Sequence, residues 1–341
     1  MLYDALIVVS FGGPEKPQDV IPFLENVLRG RNVPHQRMLE VAQHYYHFGG
    51  RSPINDQNRE LISALRKKID LPVYWGNRNW HPLLTDTLRR MKKEGVRRAL
   101  AFVTSAFSSY SGCRQYREDI ARALAEINAE TAPEIAGANR ESPLVIHKLR
   151  TFSNHPLFVE TLADRTRAVL CELPEDRRKN AALVFTAHSI PAVMAESSGY
   201  QRQLWQTASL VAQCVGYNDW TLAFQSRSGP PGQPWLEPDI GDWLRRERPK
   251  NIVIVPVGFI SDHMEVVYDL DTEVARLCNE LDIHMVRART AGTHPKFIDM
   301  IDELIRERTH PGTPRRWLGE LGASPDECAE KCCVWARNPH S

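Results

Sequence analysis

No run of about 18 apolar residues occurs in this 341-residue chain, so no membrane-spanning helix is expected. A charge excess is missing as well: 43 Lys plus Arg stand against 42 Asp plus Glu, which leaves no one-signed field to draw the protein to nucleic acid or anionic lipid. The opening MLYDALIVVSFGG lacks the basic flank and small-residue cleavage site of a secretory signal. These absences predict a soluble, cytoplasmic protein that acts on a small partner. A G-x-G-x-x-G fingerprint is also wanting. Gly12 and Gly13 follow an apolar run, but Pro14 removes a backbone donor where a phosphate would need one, which argues against a dinucleotide site. Paired C-x-x-C units are absent, and the seven cysteines, an odd number, suit no simple disulfide framework.

What is present is an apolar content of 42%, enough for two buried cores in a chain of this length. Short β-branched runs alternate with longer amphipathic segments, the pattern of βα units around a parallel sheet. Strands are predicted at 5–11, 71–77, 98–107 and 144–150, then at 181–189, 221–227, 251–259 and 284–288. Four plus four predicts an α/β protein of two similar domains, at 1–155 and 156–310. The stretch 311–341, rich in proline and then cysteine, reads as an extension rather than a third core. Ligands of such sheets bind beyond the carboxyl ends of the strands, so the functional residues are expected in the loops FGGPEKP, GNRNWHP, SAFSSYSGC, AHSIP, QSRSGPPGQPW and GFISDHME.

His188 closes the fifth strand candidate in FTAHSIP, and Glu265 follows the seventh. If those strands are neighbours, an imidazole and a carboxylate share one cleft, as a base and as ligands for a divalent cation. Glu265, Asp269 and Glu273 recur every four residues, so an α-helix would align them at about 6 Å per step in a ladder roughly 12 Å long. Val267, Leu270, Val274 and Leu277 would take the other side, and an acidic face turned to solvent is the plainer reading. Against it stands the repulsion of like charges at this spacing, a few tenths of a kcal/mol per pair. Oxygen ligands in series suit a weakly held ion that is passed along.

Cys328, Cys332 and Cys333 put three thiols within six residues, and Cys113 stands at the carboxyl end of a strand candidate. Together they could supply the four thiolates of an iron-sulfur cluster, or they are a chance cluster of surface thiols.

The motifs SFGGPE, FLENVLRGR, HYYHFGGRSPIN, WGNRNWHP, KLRTFSNHP, TAHSIP, FQSRSGPPGQPWLEP and VPVGFISDHMEVVYDLDTE together resemble the ferrochelatases, enzymes that insert Fe2+ into a porphyrin. The resemblance runs to about residue 310. SSYSGCRQYREDIARA is similar to the actinobacterial branch, which acts on coproporphyrin III to form Fe-coproporphyrin III in haem synthesis. It implies two doubly wound Rossmann-like domains with a porphyrin cleft between them. His188 and Glu265 match the catalytic residues and Fe2+ contacts, and Asp269 and Glu273 match a metal or proton path. Ser52 and Tyr116 match porphyrin contacts, and Arg29 and Arg31 are candidates to pair with its carboxylates. Phe11, Phe107 and Tyr110 would wall the cleft, with Tyr110 a possible axial ligand because Phe11 stands where some relatives carry tyrosine. The iron-sulfur members carry one internal and three C-terminal cysteines, which Cys113, Cys328, Cys332 and Cys333 resemble, so a 2Fe-2S cluster is implied. Residue types leave open protoporphyrin IX as substrate, another divalent metal, or a porphyrin carrier without turnover. A monomer with transient contact to the next enzyme of the haem pathway completes the expectation.

Overall fold

The computed structural model describes residues 2–30, 33–130, 143–229 and 232–335. Eight strands form two sheets: β1 (Ala5–Ser10), β2 (Val73–Asn77), β3 (Arg98–Val103), β4 (Val145–Lys148), β5 (Ala181–His188), β6 (Trp220–Gln225), β7 (Asn251–Val255) and β8 (His284–Arg287). The orders are β2-β1-β3-β4 and β6-β5-β7-β8, and every pairing is parallel. All eight fall where the apolar runs predict them. The strands end earlier than expected because the loops after β3 and β7, beginning at Thr104 and Pro256, leave the ladder at once.

Alternation along each strand sends side chains to two separate cores. Ile7, Val9, Ala99 and Ala101 face the helices Leu84–Lys93 and Gln115–Ala129, and Val184, Ile252 and Ile254 face the helix Ile240–Glu247. The opposite faces, with Leu6, Val8, Leu100, Phe102, Leu183, Phe185, Val253 and Val255, belong to one continuous core shared by both sheets. At its centre Phe102, Phe152, Phe158 and Phe297 pack ring to ring, with centroids 5.3 to 6.2 Å apart.

The segment after β4 joins the halves. The helix Pro156–Glu172 packs on the helices Tyr200–Val215 and Pro295–Thr309. Arg150, 2% exposed, forms a two-pronged pair with Glu307 at 2.7 and 2.8 Å. Residues 311–335 contain no helix or strand, yet they are firmly seated. Asn154 donates to the carbonyls of Leu318 and Gly322, Thr151 to Ser324, and Arg150 to the carbonyl of Arg316. Leu318 and Trp335 pack against the shared core.

Candidate active site

His188 is the last residue of β5, the central strand flanked by β6 and β7. Its carbonyl accepts from the Tyr200 hydroxyl at 2.9 Å, and its Nδ1 donates to the Ser189 carbonyl, which turns Nε2 toward the cleft. There it meets Glu265 Oε1 at 3.7 Å. Glu265 stands in the first turn of a short helix, Met264–Tyr268, capped by His263, whose Nδ1 accepts from the Glu265 amide at 3.2 Å. Two clamps fix that helix. The Gln57 side-chain amide bridges the backbone of Asp262 at 2.9 and 3.1 Å, and Arg287 at the end of β8 pairs with Asp262 and Asp271. The neighbouring strands therefore bring together the base and the acid that the sequence could only place in corresponding loops.

The electrostatics divide three groups sharply. Partial loss of solvent works against the charged forms of both His188 and Glu265, whose side chains stay 30% and 46% exposed. Their mutual attraction outweighs it, pushing His188 up to about 9 and Glu265 down to about 2. The resting pair is imidazolium and carboxylate. Asp269 goes the other way: burial first, then the neighbouring charges of Glu265 and Glu273, push it up to about 7, although a hydrogen bond from Ser226 opposes them. Ser226 is held in the left-handed region, φ 64°, and Gln225 on its other side donates to the Glu265 carbonyl at 2.7 Å. A carboxyl group that titrates near neutrality thus stands beside one that stays ionised.

The acid ladder departs from the expected geometry. Asp269–Val274 is a π-helical turn between α-helical segments Met264–Tyr268 and Ala275–Glu280, so the three acids are not in register on one straight α-helix. Val266, not Val267, joins Leu270, Val274 and Leu277 in the core. Asp269 is half-buried and Glu273 is exposed. Among the described residues no three His, Cys, Asp or Glu side chains are arranged to hold a single metal ion, neither along the ladder nor at Cys113, Cys328, Cys332 and Cys333. The helix His35–His47 lies against it: His44 stacks on Tyr268 with ring centroids 3.9 Å apart, and Tyr45, half-buried, is raised by burial and by the charges of Glu265 and Asp269.

The expected porphyrin contacts lie in several places. Ser52 is buried against Gly13 in the loop after β1, where a Cβ on Gly13 would come within 2.7 Å of the serine Cβ. Phe11 and Tyr116 flank the guanidinium of Arg78, which lies 5.8 and 4.6 Å from their ring centroids and pairs with Asp119. Arg29 is exposed and donates to Asn26 at 2.5 Å, and Arg31 lies outside the described residues. Phe107 is 2% exposed between Phe158 and Tyr200, so it is a core residue and not a cleft wall. Tyr110 turns toward the C-terminal segment, its hydroxyl donating to Glu118 at 3.2 Å and its ring 5.6 Å from Trp335. Sequence reasoning missed Arg78, Gln225, Ser226 and His263. All four were legible as polar residues within the strand-end loops, Arg78 in GNRNWHP, but nothing local marked Arg78 as sandwiched between two rings.

The described chain also has a second polar centre. Cys113, Cys328, Cys332 and Cys333 line one cavity of about 360 Å³ beside β4. The sulfurs of Cys332 and Cys333 lie 3.5 Å apart, which adjacent residues achieve because Cys333 adopts φ 53°. A hydrogen bond between Cys113 and Cys328 lowers Cys328 to about 7 and, with burial, raises Cys113.

Comparison with known proteins decides the family. A profile described as Ferrochelatase matches residues 3–309. The chain belongs to the ferrochelatase family. It is 51% identical to a ferrochelatase of Rhodopirellula baltica, covering 98% of this chain and 94% of that one. It is 52% identical to the coproporphyrin III ferrochelatase of Frankia alni, over 97% and 86% of the two chains, and 47% identical to that of Nocardia farcinica, over 99% of each. Among solved structures, SirB from Bacillus subtilis with Fe3+ matches with a TM-score of 0.54 at 13% identity, covering 90% of this chain and 97% of that one. The two-sheet architecture is therefore the chelatase fold, and the chain is a metal chelatase with Fe2+ as its substrate metal. Among the described residues no helix is long and apolar enough to cross a membrane.

Proposed function

We propose that this ferrochelatase inserts Fe2+ into coproporphyrin III, releasing two protons and forming Fe-coproporphyrin III for haem synthesis. The observation that carries the reading is the His188–Glu265 pair at 3.7 Å, at the carboxyl ends of adjacent strands, where α/β sheets bind ligands. The choice of coproporphyrin rests on the relatives of Frankia and Nocardia that carry that name. Protoporphyrin IX is the alternative that the test below addresses.

A porphyrin must lose two pyrrole protons as iron enters. His188 is the proton acceptor and Glu265 the anionic contact for Fe2+. Because His188 rests as imidazolium, it must first give up its own proton, a loss that the positive charge of arriving Fe2+ favours; the two pyrrole protons then leave one after the other through His188, with Asp269, raised to about 7 on the same ladder, relaying them outward. Glu273, exposed at the outer end, opens the path to solvent. Phe11 supplies aromatic surface near the macrocycle, with Ser52, Arg29 and Arg31 serving its carboxylates, whereas Tyr110, packed on Trp335, and Tyr116, buried in the outer core, do not reach it. Remote binding energy of that kind favours a bent ring whose nitrogen lone pairs are accessible.

The four thiols support a 2Fe-2S cluster as resident cofactor. Their donor atoms are of the right kind and number, and they share a cavity wider than one ion requires. Cys113 would supply the internal ligand, and Cys328, Cys332 and Cys333 the others. The cluster would contribute a redox-active, thiolate-bound centre, while iron insertion itself changes no oxidation state. The reading further takes 1–155 and 156–310 as domains with 311–341 as an extension, and a monomer in the cytoplasm that hands its product transiently to the next enzyme of the pathway.

A steady-state insertion assay with Fe2+ tests the reading by comparing coproporphyrin III with protoporphyrin IX and repeating both with cobalt and nickel. A higher kcat/KM for coproporphyrin III with iron is expected. A preference for protoporphyrin IX overturns the substrate choice, and an absence of turnover with every metal leaves a carrier.

A further inference from the structure

The walls of the cysteine cavity carry more positive charge than the thiols alone need. Arg114, Arg117, Lys148 and Arg308 all face it, with Asp326 and Glu327 as the acids. Three of these cations are committed elsewhere. Arg114 donates to the carbonyls of Glu330 and Cys332 at 2.6 and 3.0 Å and pairs with Glu118, and Arg117 reaches the carbonyls of Cys328 and Glu330 at 3.5 Å. Both hold the backbone of the cysteine segment. Arg308 pairs with Asp326 at 3.5 Å.

Lys148 differs from them. It ends β4, the edge strand of the first sheet, and is half-buried. Its Nζ donates to the Leu149 carbonyl at 3.1 Å, and among the described residues it has no carboxylate partner. Its side chain lines the same cavity as Cys113, Cys328, Cys332 and Cys333. A lysine without a carboxylate partner on the wall of the cavity that the four sulfurs line has a direct consequence for a thiolate-bound cluster, which is a dianion when oxidised and a trianion when reduced. Charge and hydrogen bonding at the sulfurs are the levers that set such a potential.

Resting on the cluster reading above, we infer that Lys148 tunes the reduction potential of the centre bound by Cys113, Cys328, Cys332 and Cys333, raising it by stabilising the additional negative charge of the reduced form. Lys148 lines the cysteine cavity, whose wall includes neither His188 nor Glu265, so its proposed action is on the cluster and not on iron insertion.

The test is a redox titration of the anaerobically purified full chain, followed by electron paramagnetic resonance, for wild type, Lys148→Met and Lys148→Arg. At the wild-type midpoint, the reduced-to-oxidised ratio of Lys148→Met is expected to fall about tenfold, equivalent to about 59 mV for a one-electron couple. Lys148→Arg, which keeps the charge, should stay within about twofold of wild type. An unmoved midpoint in Lys148→Met, or equal shifts in both variants, overturns the inference while leaving the cluster in place. Wild-type protein without iron, sulfide or visible absorption overturns the cluster reading itself and the inference with it. Should Lys148→Met fail to retain the centre, Lys148→Gln gives the same reading with a polar side chain.

Discussion

The two sheets share one topology, with β1 and β5 in corresponding central positions and β3 and β7 beside them, yet they end in different chemistry. β5 delivers His188 and the loop after β7 delivers Glu265. The loop after β1 delivers Phe11, Gly12 and Gly13, with Arg78 lodged between Phe11 and Tyr116. The same scaffold thus offers two strand-end crevices, of which one carries the titrating groups and the other offers rings, buried backbone and a compensated cation. A reaction that must both grip a flat apolar ring and move protons needs both kinds of wall. On the proposed reading, placing them on opposite halves would let the substrate lie between them.

If that division is right, the largest effect belongs to the second sheet. His188→Ala and Glu265→Gln should each lower iron insertion by about 10²–10⁴ in kcat at unchanged fold, checked by a stopped assay with circular dichroism as control. Activity within about tenfold of wild type would break the assignment of chemistry to that half. Next comes the joint between the halves. Arg150→Met leaves Glu307 buried without its partner and should cost about 3–5 kcal/mol in urea unfolding, because uncompensated buried charge is expensive. A loss below about 1 kcal/mol would mean that the halves are held by the phenylalanine core alone.

Asp269→Asn separates function from stability. Its carboxyl is raised in the folded state, so the native protein holds a proton that the unfolded chain releases, and wild-type stability falls as pH rises from about 4 through about 7. The Asn variant should be more stable than wild type by up to about 4 kcal/mol at pH 8, equal to it near pH 4, and about tenfold slower in turnover. Thermal melts across this range would check it, and a gain at acid pH instead would contradict the sign. Glu265→Gln should bring the His188 imidazole down from about 9 toward or below its ordinary 6.5, since burial alone lowers it, as read by an NMR titration of the ring proton. The smallest effect is expected on the first sheet, where Phe11→Leu should raise KM for the porphyrin by only a few fold. A large fall in kcat there would erase the contrast between the two crevices.

The strands were legible because parallel strands buried on both faces read as unbroken apolar runs, as in ALIVVS and NIVIV. Their order was not, since no local pattern says that β5 lies between β6 and β7, and on that adjacency the meeting of His188 with Glu265 depends. The acidic spacing was read as one straight helix. The π-turn at Asp269–Val274 was invisible, because the sequence DLDTEV has no proline or glycine to mark it. Phe107 shows the converse failure: an aromatic in a strand-end loop invited a functional reading, and packing against Phe158 and Tyr200 gave it to the core.

By itself, the sequence determined the fold class, the family and the residue types at the strand ends, because hydrophobic periodicity and loop chemistry are local properties of a chain. Only the tertiary structure decided which of those residues meet: His188 with Glu265, Arg78 between two rings, and Cys113 with thiols more than 200 residues away. It also decided their charge states, since a carboxylate is held near 2 or near 7 by what burial and neighbouring charge surround it, and neither is written in its own position along the chain.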